Sequence, residues 1–465
     1  MNMDSLKVTG NLEWDGLHRP QIFYAMAAIF SGLFLSVIDG SICNVALPSI
    51  SKELQVSSSD SIWVVNGFQL VVMMFLLPFS SLGELKGFKQ VYLTGLVVFL
   101  VGSLCCTFSV TLTQLVLSRM LQGVGAAMVM SVNGSLVRLI YPKKHLPKGF
   151  GLNAMVVALA AVAGPTLAAG ILAVASWPWL FAINIPVGVV TFYFAWKYLP
   201  DNPTRIEGRR FDYRSACMNA LTFGLFIGTL EAYAHGASLT WVFGGLVLLL
   251  AVGTLFVRQQ LSQPYPMLPF DLLRIPVFGL SVLTSICSFT SQMLAMVSIP
   301  FLLHHTFGFD AVRTGLFMTA WPLVIVFASP VAGFLVGKIH AGLLGGIGLL
   351  IMSCGCFLLS TMPASAPQML LIAGLMLCGL GFGLFQSPNN HLMLSSAPAY
   401  RSGGASGMQA TARLVGQTTG ATLVALMFHL TPDSAPHNAL LLAGVLTFVG
   451  AFVSSSRVKA KRVER

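Results

Sequence analysis

Residues 21–46 read QIFYAMAAIFSGLFLSVIDGSICNVA, a long apolar run with a single charged side chain, Asp39. A helix needs about 20 mostly apolar residues to cross the hydrocarbon core of a bilayer, so this run predicts a transmembrane helix. Because a bilayer offers no water to a free backbone, each span must be helical. Similar runs recur along the chain and predict about fourteen spans, near 21–46, 61–81, 90–109, 112–137, 149–175, 177–197, 213–235, 239–257, 276–302, 314–336, 341–360, 368–392, 406–429 and 438–455.

The composition agrees with this pattern. Of the 465 residues, 55% are hydrophobic and only 9% are charged. An ordinary soluble domain carries about 25% charged residues, so this chain has too little polar surface to face water. The sequence therefore predicts an all-α polytopic membrane protein.

The polar segments divide the chain into three parts. The two most polar internal stretches, 197–214 and 261–276, flank one predicted helical hairpin. We therefore predict an N-terminal six-helix bundle with its tail (1–205), a two-helix insert (206–264) and a C-terminal six-helix bundle with a basic tail (265–465). Proteins built from two such halves hold a substrate near the membrane midplane between them.

The net charge of +11 is distributed unevenly between the predicted loops. If the N-terminus is cytoplasmic, 22 of the 26 lysine and arginine residues fall in cytoplasmic segments. This asymmetry follows the positive-inside rule, and it predicts a multi-pass protein of the inner membrane with both termini in the cytoplasm. The basic excess orients helices, and no nucleic-acid partner is expected.

Charged residues at membrane depth, away from the first and last residues of the predicted spans, are Asp39, Arg119, Glu231 and Arg413. A charge at membrane depth costs about 2.5–3.5 kcal/mol on insertion scales, so each is a functional candidate. Burial favours the neutral form of a carboxyl group such as Asp39. Asp39 would then take up a proton from outside and release it when a cation or the cytoplasm competes. The alternative is a structural hydrogen bond to Asn44 or to a neighbouring helix.

Arg119 belongs to a stretch with a recognisable helical spacing. It lies three residues before Gln122, so the two side chains share a helix face. Gly123 and Gly125 follow and permit close helix packing. A permanently charged guanidinium at this position would adjust the proton affinity of nearby carboxylates. The alternative is a structural cation that satisfies carbonyl groups of a neighbouring helix.

Glu231 lies near the outer end of the seventh predicted span, inside the insert. It is either a second protonatable site or a side chain that extends to the membrane interface, and we expect the latter.

Five stretches resemble the motifs of one family: IDGSICNVALP (38–48), LSRMLQGVGAA (117–127), AVAGPTLAAG (161–170), SWPWLFAINIPVG (176–188) and SGGASGMQATARLVGQTTG (402–420). Together they resemble the drug:proton antiporter-2 family, the fourteen-span branch of the major facilitator superfamily. The resemblance covers nearly the whole chain. Gly164 and Pro165 match the antiporter motif of the fifth span, although alanines stand at three positions where glycines are usual. Pro178 replaces a usual basic residue in the sixth span.

The loop LGELKGFK (82–89) resembles a degraded copy of the superfamily's gate motif. Leu82, Gly87 and Lys89 match, and Glu84 stands in place of the usual aspartate. The second copy has Gly337 at the acidic position and lacks the charge. We expect the first copy to latch a cytoplasmic gate and the second copy not to do so.

The resemblance implies a major facilitator fold and an exporter that exchanges amphipathic, often cationic drugs, dyes or biocides for protons by alternating access. Asp39 and Arg119 would couple the protons. The candidates for the substrate cavity are Asn44, Gln122, Glu231 and Arg413. The expected partners are small-molecule substrates, protons and the lipid bilayer, and the protein is expected to be a monomer.

Other function classes have weaker support. No Walker A sequence occurs, so we expect the proton gradient rather than ATP as the energy source. We expect no cofactor, because the eight cysteines fall within or at the edge of spans and the histidines lack metal-binding spacing. A dedicated exporter of a metabolite or siderophore on the same scaffold remains an alternative. A membrane enzyme or sensor is a more distant one, since it would need acids or histidines clustered in one span.

Overall fold

The structure is a computed structural model. It describes residues 8–10, 15–142, 146–201, 204–206, 211–234, 237–263, 270–336, 338–397 and 402–458. Nearly all of them lie in helices, and the chain order is six predicted spans, a helical hairpin and six further spans.

The first bundle contains eight helical segments. They are α1 (Gln21–Glu53), α2 (Ser58–Ser61), α3 (Trp63–Lys86), α4 (Phe88–Thr107), α5 (Leu112–Ile140), α6 (Leu146–Leu172), α7 (Trp179–Ala182) and α8 (Asn184–Tyr198). The predicted sixth span is interrupted at Ile183, so that α7 and α8 together replace one continuous helix.

The insert is a hairpin of α9 (Tyr213–Ala234) and α10 (Leu239–Ser262). Two three-residue strands, β1 (Val8–Gly10) and β2 (Thr204–Ile206), pair antiparallel and join the N-terminal tail to the segment before the insert. This ribbon lies outside the predicted spans, and it is an addition to the all-α architecture that the sequence predicted.

The second bundle follows a 3₁₀ turn at Phe270–Arg274. Its helices are α11 (Pro276–His305), α12 (Ala311–Met318), α13 (Ala320–Leu335), α14 (Ala341–Ser360), α15 (Gln368–Ser396), α16 (Ser402–Leu430) and α17 (Ala435–Ser456). Every one of the fourteen predicted spans falls on one of these helices or on a broken pair.

Eleven helices in the part that the structure describes are long and apolar enough to cross a membrane. The other three predicted spans coincide with α6, α9 and α16. The predicted fold class is therefore confirmed, with a helix count near fourteen. The boundaries placed at 205 and 264 stay a prediction.

Polar side chains fix where some spans begin. The Thr111 hydroxyl accepts a hydrogen bond from the Gln114 backbone N–H at 3.3 Å, and Asp310 accepts one from Arg313 at 2.8 Å. Such N-caps satisfy backbone donors that a helix leaves free in its first turn. Both caps precede spans that begin at the end of the molecule far from the chain termini.

We call the end where α1 begins and α17 ends the terminal side, and the other end the opposite side. The largest core cluster lies towards the opposite side and combines the two bundles, for example Ile42 and Val65 of the first with Met293 and Leu426 of the second. A second cluster belongs to the first bundle alone and lies at the terminal side. The bundles are therefore packed together most extensively at the opposite side.

Candidate functional site

Asp39 of α1 and Arg119 of α5 form an ion pair inside the first bundle. Their exposed fractions are 2% and 0%, and Arg119 Nη1 donates to Asp39 Oδ2. The two residues are 80 positions apart in the chain, so the pair exists only because α1 and α5 pack side by side. A buried pair of this kind contributes strongly only when further hydrogen bonds satisfy its remaining atoms.

Three polar side chains complete the pair. Gln122 Nε2 donates to Asp39 Oδ1 at 2.9 Å, and Asn184 Nδ2 donates to the same oxygen at 2.8 Å. Gln122 Nε2 also lies 2.8 Å from the Ser103 hydroxyl, and Gln122 Oε1 accepts from Arg119. Helices α1, α4, α5 and α8 thus meet in one hydrogen-bonded network around the carboxylate.

The guanidinium group of Arg119 has its own support. Its Nε donates to the Val64 carbonyl oxygen at 3.0 Å, and the Phe68 ring lies 4.2 Å from the guanidinium carbon. An aromatic face stabilises a desolvated cation. Nη2 donates no hydrogen bond to any described residue.

Asp39 was expected to be neutral because burial alone disfavours a charged carboxyl group. Arg119 was expected to adjust the proton affinity of nearby carboxylates, and the fold brings it into direct contact with Asp39. Arg119 is permanently charged and donates directly to Asp39, so the two charges lie side by side in the bundle. The alternative hydrogen bond to Asn44 does not occur, and the Asn44 Oδ1 atom, also buried, accepts no hydrogen bond from the described residues.

The glycines after Gln122 allow this packing, as predicted. A Cβ atom on Gly123 would lie 2.8 Å from the Phe68 carbonyl oxygen, and one on Gly125 would lie 2.3 Å from the Phe99 backbone nitrogen. Contacts that close exclude any side chain, so α5 approaches both α3 and α4 at backbone distance. The glycines thereby fix the position of the helix that carries Arg119.

The antiporter-motif segment of α6 packs against both bundles. A Cβ atom on Gly164 would lie 2.4 Å from Ser41 Oγ of α1, in the first bundle. One on Gly315 of α12 would lie 2.5 Å from the Pro165 carbonyl oxygen, in the second bundle. This segment therefore helps to close the opposite side in the arrangement described.

The gate-motif residues lie at the terminal side, between α3 and α4. Gly87 alone separates the two helices and has a φ of +109°, which glycine adopts without strain. Glu84 is exposed and Lys89 is half-buried. Gly337, the second-copy position, lies outside the described residues, so the predicted difference between the two copies stays a prediction.

The structure separates the remaining candidates. Gln122 lies within the ion-pair network. Arg413 of α16 is half-buried in the second bundle, and its Nε donates no hydrogen bond to the described residues. It stands nine residues from Thr422, which places it on about the opposite face of α16 from the residues that contact α3. Gln122 and Arg413 therefore lie in different bundles.

The expected interfacial position of Glu231 is wrong. Its exposed fraction is 1%, and its carboxylate accepts a hydrogen bond from Asn66 Nδ2 of α3. The sequence placed Glu231 in the insert and near a span end but gave no sign that α9 packs against α3. The partner that decides its position is 165 residues away.

Arg457, the first basic residue after the last predicted span, was not among the candidates from the sequence, but the structure gives it a buried position. Its exposed fraction is 1%, and its guanidinium donates to Ser281 Oγ at 2.9 Å, to Asn389 Oδ1 and to the Ser454 carbonyl oxygen at 3.1 Å. These contacts join α11, α15 and α17 at the terminal side. The only signal in the sequence was its position directly after the last apolar run, which does not identify its partners.

Two further features lie outside the ion-pair network. A groove of about 470 Å³ runs between α1 and α8, lined by residues such as Ser31, Pro186 and Val190, and it contains no charged side chain. Val190 is exposed, so the groove lies on the outside of the bundle. Within the described ranges, no group of three or more His, Cys, Asp or Glu residues is placed to hold a metal ion.

Comparison with known proteins places these observations in a family. Residues 29–421 match the model of the Major Facilitator Superfamily. The chain is 50% identical over 448 residues to the uncharacterized transporter YebQ of Escherichia coli strain K12, covering 96% of this chain and 98% of that protein. It is 29% identical to the riboflavin transporter RibZ of Clostridioides difficile, covering 84% and 85%. It is also 29% identical to the multidrug resistance protein Stp of Mycobacterium tuberculosis, covering 87% and 75%.

Proposed function

Because the chain belongs to the Major Facilitator Superfamily, we propose that it is a proton-coupled exporter of amphipathic or cationic small molecules, on the pattern of the fourteen-span antiporters. The chain is a multi-pass membrane transporter rather than an enzyme. We propose three further properties: coupling to protons, the class of substrate, and membership of the fourteen-span branch of the superfamily. The buried Asp39–Arg119 pair is the observation that carries the proposal.

Protonation of this pair would change how α1 packs against α5. In the arrangement described, both oxygens of Asp39 accept hydrogen bonds from neighbouring side chains, and the carboxylate is almost fully buried. A proton on Asp39 would remove the negative charge and leave Arg119 as an uncompensated cation among apolar groups. Removing one charge of a buried pair costs about 3–5 kcal/mol, enough to favour a different packing of α1 against α5.

This mechanism modifies the expected competition at Asp39. A cationic substrate and a proton compete for one carboxylate only if the substrate reaches it, and Asp39 is 98% covered by the first bundle. We therefore propose indirect competition: the proton opens the pair, the bundle repacks, and the affinity of the cavity for the substrate falls. Linkage requires the reverse effect as well, so that substrate binding releases the proton.

Two relatives have names that indicate substrates. Stp is named a multidrug resistance protein, which supports export of structurally varied compounds. RibZ is named a riboflavin transporter, which favours a second candidate, a transporter dedicated to one metabolite. The two proposals differ in the breadth of substrates.

The test is a drug and metabolite panel in a host that lacks its own efflux pumps. We expect the wild-type protein to raise resistance to several unrelated cationic compounds and the Asp39→Asn variant to lose this effect. Glu53→Gln is the matched control, because Glu53 is an exposed acid at the end of the same helix. Resistance to none of the compounds, with uptake or export of a single metabolite, would favour the dedicated transporter.

Coupling needs a direct measurement. Purified wild-type protein in detergent should release protons when it binds a transported cation, and Asp39→Asn should not. Equal release by the two proteins would place the coupling site elsewhere.

The orientation proposed is that the terminal side faces the cytoplasm of a cell with an inner membrane. A cysteine at position 145, between α5 and α6, should then resist a membrane-impermeant thiol reagent added outside intact cells. Rapid labelling would reverse the orientation.

A further inference from the structure

The insert helix α9 lies along the seam between α3 and α16, where the two bundles meet. One face of α9 carries Asn219, Ile227 and Glu231, whose exposed fractions are 0%, 0% and 1%. Asn219 Nδ2 donates to the Met74 carbonyl oxygen of α3 at 2.8 Å. The side of α9 that carries Glu231 is therefore a packed face, and Glu231 is its acidic member.

The Asn66 side chain links three parts of the molecule. Its exposed fraction is 0%, and its Nδ2 donates to Glu231 Oε1 of α9. The same Nδ2 lies 3.4 Å from Thr422 Oγ1 of α16. One amide group of the first bundle thus contacts the insert and the second bundle at the same point of the seam.

The oxygen atom of the Asn66 amide is able to accept a hydrogen bond from a protonated acid. Asn66 Oδ1 is buried and accepts no hydrogen bond from the described residues. A carboxylate has no hydrogen to donate, whereas a protonated carboxyl group has one O–H. With a proton, Glu231 would donate to Asn66 Oδ1 while it accepts from Nδ2, and the acid and the amide would form a pair with two hydrogen bonds.

We propose that Glu231 and Asn66 form a second proton-binding site, separate from Asp39, which ties proton uptake to the contact between the bundles. The step is a simple protonation: a proton from water binds the carboxylate, and its release restores the charge. The titratable side chains of α9 and of the helices packed against it are Tyr213, Arg214, Cys217 and Tyr233 on α9, Glu84 and Lys86 on α3, Arg258 on α10, and Arg413 and His429 on α16.

Several of these groups are far from Glu231 along their helices. Glu84 and Lys86 stand at least 18 residues beyond Asn66 on α3, about 27 Å at 1.5 Å per residue. His429 stands seven residues beyond Thr422 on α16, about 10 Å along the axis. Asn66 is therefore the partner on α3 that responds directly to the charge of Glu231.

The consequence for the seam follows from the two states. The protonated acid satisfies both atoms of the Asn66 amide and holds α9 on α3. The charged acid leaves Oδ1 without a donor, which favours rotation of the amide and a new contact with Thr422 across the seam. Proton binding would thus change how α3 slides on α16. The sliding of α3 on α16 rests on the proposed function as an alternating-access exporter, whereas proton binding at Glu231 does not.

Infrared difference spectroscopy of the purified full-length protein tests the site without any transport. The spectrum of wild type minus Glu231→Gln should contain the carbonyl stretch of a protonated carboxyl group in acidic buffer. The same band should appear in the Asp39→Asn background. Only carboxylate bands at every buffer pH, or no difference between wild type and Glu231→Gln, would overturn the proposal.

Two more variants exclude a merely structural effect. Glu231→Gln keeps the size of the side chain and offers an N–H to Asn66 Oδ1, so it should fold with a thermal stability equal to that of wild type. Asn66→Leu should shift the carboxyl band to higher frequency, because the carbonyl loses its hydrogen bond. An unshifted band in Asn66→Leu would overturn the pairing with Asn66. Asp39→Asn could still release protons on binding a cation and also keep the protonated-carboxyl band of Glu231. That result would contradict the coupling role of Asp39 and support the second proton-binding site at Glu231.

Discussion

The hydroxyl groups of Thr166 and Thr319 lie 2.8 Å apart, and this hydrogen bond joins α6 of the first bundle to α12–α13 of the second. It lies beside the contact between Pro165 and Gly315. At this point of the opposite side, α6 and α12–α13 therefore touch through small side chains that are able to separate without breaking a charged contact.

This relationship predicts that a cross-link at the opposite side stops transport. In a background where all eight native cysteines are replaced, Thr166→Cys with Thr319→Cys should form a disulfide under oxidation. Export should fall to the background level because alternating access requires the two sides to open in turn. Reductant should restore it, and each single variant should be insensitive to oxidant. Full cross-linking with normal export would contradict the proposed movement.

Substitution of two glycines of α6 should show whether close packing against α1 matters for export. Gly164→Ala places a methyl group 2.4 Å from Ser41 Oγ, so α1 and α6 must move apart. We expect a clear loss of export together with lower thermal stability, of the order of 1–3 kcal/mol for overpacking. Gly170→Ala is the matched control, since no atom lies within 4 Å of its added methyl group. Equal effects of the two substitutions would refute the packing argument.

The local motifs could be predicted from the sequence better than the long-range contacts. The spacing of Arg119 and Gln122 gave a shared face, and the glycines gave close helix approach, because both properties depend on one helix. The identity of the partner does not follow from spacing. Glu231 meets Asn66, and Arg457 meets Asn389, only through packing between distant helices. For this reason the sequence placed Glu231 at the membrane interface and identified no partner for Arg457.

A double-mutant cycle should reveal the coupling of Asp39 and Arg119. Asp39→Asn leaves an unpaired buried cation and should destabilise the protein by about 3–5 kcal/mol. Arg119→Gln should cost a similar amount. The double variant removes both charges, so its destabilisation should be well below the sum of the single effects. The measurement is thermal unfolding of purified protein in detergent, with Glu53→Gln as a control that should change little. Additive effects would show that the two charges do not stabilise one another.

The contribution of Asp212, at the start of the insert, to the stability of the protein should depend on pH. Asp212 lies directly before α9. Partial burial raises the pKa of its carboxyl group, but hydrogen bonds from the Ser215 hydroxyl, the Ser215 backbone and Gln263 lower it by more. The pKa therefore lies below the ordinary value of about 3.8. A carboxyl group whose pKa is lower in the folded state stabilises the protein above its unfolded pKa, and this contribution disappears as the pH falls through the folded pKa.

Asp212→Asn should therefore lower the melting temperature of the purified protein at neutral pH, where the Asp212 carboxylate is ionised and accepts from Ser215 and Gln263. The difference between wild type and variant should stay constant down to a pH of about 4, near the ordinary aspartate value, and shrink below it. Asp201→Asn is the control, because Asp201 is exposed just outside the first bundle and should show no such dependence. A wild-type–variant difference that is unchanged in strong acid would mean that the carboxylate charge of Asp212 does not hold the insert to its neighbouring turn.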